Sequence, residues 1–297
     1  MSKVGVCEWC LPVWGPDSAY FAKDAGFQGL QLADLRGYYW GFPMNNRLIQ
    51  ERYRAASAET GVELQSMHLM ALSHCSGMIS APQSGRGELA KLSMDKGIEA
   101  CAALEIPVVN ISCGFNDEET FGNLIENLRY AVNIASDKGI RVVFESSKPV
   151  PVLQRLFEAV PGLLFNYDIA NSFMGDKDYQ LPRAFLSLID HVHIKDYKKD
   201  PNTGKNVPCF AGEGIFAIRE GIRNLKALGY DGWYHSEQAY IEYALPEDIR
   251  FGRSFSFPTE EPTISDVRRP TSFGVGDDLS EVIREDCARI CSLVQAL

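Results

Sequence analysis

The sequence predicts an α/β protein, a closed (β/α)8 barrel of the TIM type, on three observations. Eight strand-like runs alternate with helical stretches along the 297-residue chain. No segment repeats at the length of a solenoid unit. The first turn, Leu11-Pro12-Val13-Trp14-Gly15-Pro16, lacks the glycine-rich pattern that an open doubly wound sheet usually carries. Barrels of this kind commonly run to about 250 residues as one unit, so residues 1–297 are read as a single domain.

The elements follow in order. Residues 4–10 read as the first strand. Pro16, Asp17 and Ser18 open a short helix that ends near Gly26. Strand two covers 27–33 and leads into an aromatic loop, Tyr38-Tyr39-Trp40-Gly41-Phe42-Pro43. A helix over 46–60 stops at Gly61, because glycine accepts the left-handed conformation that ends a helix. Strand three covers 62–70. A long helix over 87–104 is broken at Ile106-Pro107, and strand four takes 107–112. The helix over 118–138 ends at Gly139, ahead of strand five at 140–147. The helix over 149–160 carries its proline at the start, where a missing N–H costs nothing. Strand six is 163–168, a short helix covers 181–189, and strand seven is 190–196. After a polar loop, a helix over 215–228 stops at Gly229, and strand eight is 232–238. From Asp248 to Asp278 the chain is rich in Ser, Pro, Gly, Arg and Phe and has no period. An aperiodic stretch of this length is a lid, a binding or interface segment, or a mobile excursion. A final helix is expected over 279–297.

Composition narrows the function. Hydrophobic residues make up 45% of the chain, enough for a core of ordinary size. A formal net charge of −10 argues against a surface built for nucleic acid or anionic lipid. The N-terminal residues lack a secretory leader, and no apolar run approaches the ~18 residues of a membrane span. A cytoplasmic protein is therefore expected. The eight scattered cysteines read as free thiols, mostly in the core, and not as a disulfide framework.

The last four strands each finish on a residue type that binds metals or moves protons: Glu145, Asp168, His193 and Glu237. Side chains alternate across a strand, so Glu145 shares a face with Arg141 and Val143, His193 with His191 and Lys195, and Glu237 with Trp233 and His235. Charged groups at strand ends would be costly against an apolar helix layer. At the C-terminal mouth of a barrel they can meet. Three carboxylates and one imidazole suit one divalent cation, Mn2+ best, with Mg2+ or Co2+ as alternatives. The residues taken to face a substrate are His68, Asn171, His191, Lys195 and Lys199, with His191 fitting a place behind the ligands or in the core better than that of a ligand. Each residue also has a bland reading: Glu145 or Glu237 as an ion-pair partner, Asp168 as a helix or turn cap, Lys198 and Lys199 as a solvated charge cluster.

At these residues the chain resembles the sugar-phosphate isomerase/epimerase group of xylose isomerase-like barrels. Phe144-Glu145, Tyr167-Asp168-Ile169-Ala170-Asn171, His191-Val192-His193-Ile194-Lys195-Asp196, Pro208 with Gly212-Glu213-Gly214, and Gly232-Trp233-Tyr234 leading to Glu237 carry the likeness, over about residues 1–245. The resemblance implies that Glu145, Asp168, His193 and Glu237 bind the metal, with Glu145 and Glu237 doubling as acid and base. The chain departs from the free-ketose epimerases at Asn171, where they carry histidine, at Lys199, where they carry arginine, and at Gln31, where the family often carries glutamate. The turn at Gly212-Glu213-Gly214 reads as a tight turn or as an anion seat.

The expected activity is a metal-dependent isomerase or 3-epimerase of a keto-sugar, a keto-sugar phosphate or a cyclitol ketone, through an enediolate. The alternative is a lyase on a 3-keto sugar, a dehydratase or a C-glycoside-cleaving subunit that works with a small partner. A small carbohydrate is the expected substrate and a homo-oligomer the expected assembly. A repair endonuclease is disfavoured by the acidic balance and by only five histidines.

Overall fold

Parallel pairing runs all the way round the sheet. In chain order the strands are β1 (Lys3–Cys7), β2 (Gly29–Ala33), β3 (Glu63–His68), β4 (Val108–Ser112), β5 (Arg141–Glu145), β6 (Leu164–Asp168), β7 (Ile189–Ile194), β8 (Tyr197–Lys199), β9 (Asn206–Pro208) and β10 (Trp233–Ser236). Eight of them close in the order β1-β10-β7-β6-β5-β4-β3-β2, and β8 and β9 form a separate antiparallel ribbon. The structure, a computed structural model, describes residues 2–73, 76–175, 181–201, 204, 206–238, 240 and 279–295. The expected (β/α)8 barrel is the observed fold.

Helices connect the strands: α1 (Ser18–Ala25), α2 (Arg47–Thr60), the single turn α3 (Met70–Ser73), α4 (Gly85–Leu104), α5 (Glu118–Ser136), α6 (Val150–Ala159), α7 (Ile169–Gly175), α8 (Ile218–Ala227) and α9 (Leu279–Gln295). Their ends follow local chemistry. The Asn46 side chain accepts from the Leu48 N–H at 2.9 Å, satisfying a donor that the first turn of α2 leaves unpaired. Asp117 and Thr120 make a reciprocal capping box at the start of α5. Gly61 closes α2 at φ 73°. Between sheet and helices lies the core, with Leu30, Leu32, Val109, Ile111, Phe144, Phe165, Val192 and Ile194 fully buried. Each such side chain contributes about 1.5–3 kcal/mol.

The barrel interior is more polar. Gly5 and Gly29 leave room there for two rings of β10. A Cβ on Gly5 would stand 2.5 Å from the His235 ring, and one on Gly29 would stand 2.6 Å from the Trp233 indole. The two rings stack with centroids 5.5 Å apart.

Several expectations shift. The first strand ends at Cys7, and residues 8–10 turn as a 3-10 helix. Glu8 is the cause: its buried carboxylate collects hydrogen bonds from the Gly15 and Ala33 N–H groups and from the Ser18 and Tyr53 hydroxyls. The helix expected at 181–189 is a 3-10 stretch, Arg183–Leu188. Helix α7 answers the cap reading of Asp168, whereas the β8–β9 ribbon was not anticipated; a ribbon of three-residue strands is too short to show alternation. The segment 248–278 lies outside the described residues, as do His74 and Cys75. The seven described cysteines are free thiols. Among the described residues, no helix is long and apolar enough to cross a membrane.

Candidate metal centre

Strands β5, β6, β7 and β10 are consecutive staves of the barrel. Their C-terminal ends bring Glu145, Asp168, His193 and Glu237 together, with one ligand atom from each within 4.8 Å of all the others. Register fixes this meeting. Asp168 stands opposite His193 across the β6–β7 pair, and the Glu237 N–H donates to the Ile194 carbonyl at 2.8 Å. Nδ1 of His193 lies 3.5 Å from Oε2 of Glu145 and 3.3 Å from Oε2 of Glu237. His193 is fully buried, and Glu145 and Asp168 nearly so.

Each carboxylate is held by groups that leave part of it facing the cluster. Glu145 accepts from the Asn171 amide at 3.0 Å and from the Asn166 amide at 3.1 Å. Asp168 uses Oδ1 to cap the first turn of α7, accepting from the Asn171 N–H at 2.7 Å. Its Oδ2 pairs with the Lys195 ammonium at 2.8 Å, and the same ammonium reaches Oε2 of Glu237 at 2.7 Å. The capping role and the cluster role of Asp168 thus coexist on different oxygens.

The electrostatics separate the two glutamates. Burial, reinforced by the charge of Glu237, pushes Glu145 up to about 7. Burial also works against an ionised Glu237, but Lys195 and His193 overcome it and hold Glu237 well below the usual carboxylate range. Burial likewise raises Asp168, with Lys195 in opposition. For Lys195 burial favours the neutral amine, yet Asp168 and Glu237 keep it charged. For His193 burial is outweighed by Glu237 and Glu145, which favour the imidazolium.

The set fits a divalent cation. Lys195 already acts as a stand-in cation, bridging two of the four groups. Three carboxylates against one ammonium leave a deficit that one doubly charged ion would match. A hard ion preferring oxygen and tolerating one nitrogen suits these donors.

The other residues expected near a substrate are distributed as follows. Asn171 and Lys195 touch the quartet directly. His68, at the end of β3, lies on the opposite wall of the mouth. It is linked across by Trp9, whose ring centroid is 5.2 Å from His68 and 6.2 Å from His193. Its Nδ1 meets the Asn110 amide at 2.9 Å and its Nε2 meets Ser73 and Ser112 at 3.0 and 3.2 Å. His191 is sealed behind His193, with one ring nitrogen on Asp190 and the other on Gln31. Lys199 stands exposed at the end of β8, on the ribbon outside the barrel. Asn166, Trp9 and Asn110 were not singled out from the sequence. Pleat alternation would have found Asn166, two residues before Asp168 on the same face.

The turn at Gly212-Glu213-Gly214 does seat an anion, and the anion belongs to the protein. Asp196 is fully buried. Its Oδ2 accepts from the Gly212 and Gly214 N–H groups at 3.0 and 2.8 Å, and its Oδ1 accepts from Tyr197 N–H at 2.9 Å.

A family model described as a xylose isomerase-like TIM barrel matches residues 19–255. The chain belongs to that family. Among curated proteins, this xylose isomerase-like chain is 28% identical over 243 residues to the 2-epi-5-epi-valiolone 7-phosphate 2-epimerase of an Actinoplanes strain, covering 78% of the chain and 87% of the relative. It is 26% identical over 255 residues to the L-ribulose-5-phosphate 3-epimerase UlaE of Salmonella typhimurium, covering 78% and 85%. A crystal structure of D-allulose 3-epimerase from Methylomonas sp. superposes with a TM-score of 0.69 at 15% identity, covering 98% of each chain; at that identity the likeness is one of fold.

Burial of Glu145 sets up a pH dependence for the cluster. A cation held at the quartet would need Glu145 as carboxylate, and burial pushes Glu145 up to about 7. Protons therefore compete below that pH. Mn2+ affinity measured by calorimetry is expected to fall by at least about tenfold per unit below pH 7, more steeply wherever His193 must also give up a proton. A flat affinity from pH 5 to 8 would show that Glu145 is not a ligand.

Proposed function

We propose that the chain is a divalent-metal-dependent epimerase or isomerase of a keto-sugar, a keto-sugar phosphate or a cyclitol ketone, built on a single barrel domain. The observation that carries this is the meeting of Glu145, Asp168, His193 and Glu237 at the barrel mouth, with both glutamates within 3.5 Å of Nδ1 of His193. Two carboxylates beside one cation are suited to divide acid and base work. The two curated relatives, both named as epimerases of phosphorylated substrates, support the same reading.

Glu145, Asp168, His193 and Glu237 would hold the cation. When bound it supplies a positive charge, Mn2+ being the favoured ion, that stabilises negative charge developing on a ketone oxygen. The side chains do the rest. Glu237, anionic beside Lys195, removes the proton from the carbon next to the ketone. Glu145, oriented by the amides of Asn166 and Asn171, returns a proton from the opposite side. Lys195 lies within reach of both Asp168 and Glu237 and can donate to a substrate oxygen. Trp9 and His68 form the far wall.

The test uses chelator-treated protein with and without added Mn2+, offered ketopentose 5-phosphates and free ketoses in D2O and followed by 1H NMR. The expected result is a metal-dependent epimer of unchanged carbon skeleton carrying one deuterium at the inverted carbon. A product lighter by water or by an aglycone would replace epimerisation with elimination. Turnover unaffected by chelation would remove the metal from the reaction.

A further inference from the structure

Inside the barrel, beneath the quartet, a line of hydrogen bonds has a direction that its far end dictates. Arg141 donates from Nε to Oδ2 of Asp190 at 2.7 Å. Oδ1 of Asp190 faces Nδ1 of His191 at 3.1 Å. Nε2 of His191 faces the amide nitrogen of Gln31 at 3.0 Å. Oε1 of Gln31 faces Nε2 of His193 at 2.6 Å. Gln31, His191 and His193 are all completely buried, so no solvent can substitute for a missing partner.

A carboxylate only accepts, and His191 has a carboxylate oxygen on Nδ1 and an amide nitrogen on Nε2, an arrangement that one ring proton, on Nδ1, satisfies. Asp190 is kept anionic: burial opposes this, but His191 and Arg141 outweigh it. Asp190 therefore requires the single His191 proton on Nδ1. That leaves a lone pair on Nε2, which must be met by a donor, and so turns the Gln31 amide NH2 toward it. The Gln31 oxygen then points the other way. It accepts from Nε2–H of His193, with the Cys7 thiol as a second donor at 3.3 Å. His193 is left with Nδ1 as the nitrogen offered to the cluster, where Glu145 and Glu237 lie. Reversing the Gln31 amide would place a bare His191 nitrogen against the Asp190 carboxylate.

We propose that Gln31 is a positioning residue for His193, set by Asp190 through His191: it fixes the ring and selects Nδ1 as the metal-facing atom. The inference rests on the metal reading given above. It places a determinant of metal binding at the opposite end of the barrel, where Arg141 and Asp190 line a cleft of about 540 Å3 together with Gln65 and Trp233. Hydrogen bonds behind a ligating histidine are typically worth 10- to 100-fold in metal affinity.

Two readouts test it. In metal-free protein at pH 9, 15N-labelled histidine NMR is expected to show His193 protonated on Nε2 and His191 on Nδ1. A neutral His193 ring carrying its proton on Nδ1 alone, with Nε2 bare, would overturn the proposal. By calorimetry, Gln31→Ala is expected to bind Mn2+ about 10- to 100-fold more weakly than wild type, with the His193 tautomer mixed. Asp190→Asn, which touches no ligand, is expected to weaken Mn2+ about tenfold and to scramble the His193 signal. If Gln31→Ala does not fold, Asp190→Asn and the wild-type tautomers decide the matter. Wild-type affinity in a folded Gln31→Ala or Asp190→Asn variant overturns the positioning role and leaves the metal reading standing. A wild-type protein that binds no divalent ion overturns both.

Discussion

Glu237→Gln is expected to lower kcat by about 10²–10⁴-fold, the usual worth of a positioned general base, while the barrel stays folded. The amide is nearly isosteric with the carboxylate and keeps an oxygen for the Lys195 ammonium, 2.7 Å away in the unmodified protein. What it loses is the ability to take a proton. Glu237 is also the most accessible of the four clustered groups, its side chain 16% exposed, so the substitution does not open the core. The measurement pairs kcat with metal content and thermal unfolding. A variant that retains its metal and its Tm but not its turnover assigns the proton transfer to Glu237. One that retains turnover refutes the assignment.

The second large effect is structural. Gly214→Ala would put a Cβ 2.1 Å from Oδ1 of Asp196 and 2.4 Å from the Tyr197 carbonyl, neither of which a folded chain tolerates. The turn must move, and moving it withdraws the backbone donors from a fully buried carboxylate. A buried charge stripped of its partners costs about 3–5 kcal/mol, a drop in Tm on the order of 10 °C. Gly122→Ala is the matched control. It lies in α5 with nothing within 4 Å of the new methyl, and removing a helix-interior glycine contributes about 0.5–1 kcal/mol of added stability. Equal Tm values for the two variants would show that the Asp196 seat is not under the strain described.

Much of this was readable from the chain. Barrel closure followed from the alternation of β and α periods. The meeting of Glu145, Asp168, His193 and Glu237 followed from placing each at the end of a parallel strand, since neighbouring staves deliver their ends to one rim. Other features were not legible, for physical reasons. Asp196 ends the same strand run as His193, and nothing local reveals that the amides of Gly212 and Gly214 would fold back onto it. Gln31 comes from a strand 160 residues away from His191, and only closure of the barrel makes them neighbours. Glu8 cut the first strand short through partners from α1, β2 and α2, none of them encoded in residues 4–10. Long-range partners of polar groups, more than the elements themselves, are what single-sequence reading leaves out.

In barrels of this architecture the upper rim is usually treated as the seat of chemistry and the lower rim as ballast for stability. The Arg141–Asp190 pair breaches that division. Engineers who redesign the lower rim for thermal tolerance would regard a half-exposed arginine there as expendable. On the positioning role proposed for Gln31, replacing that arginine, or its aspartate, should weaken metal binding, a defect that excess metal in the assay would hide and that trace levels would expose.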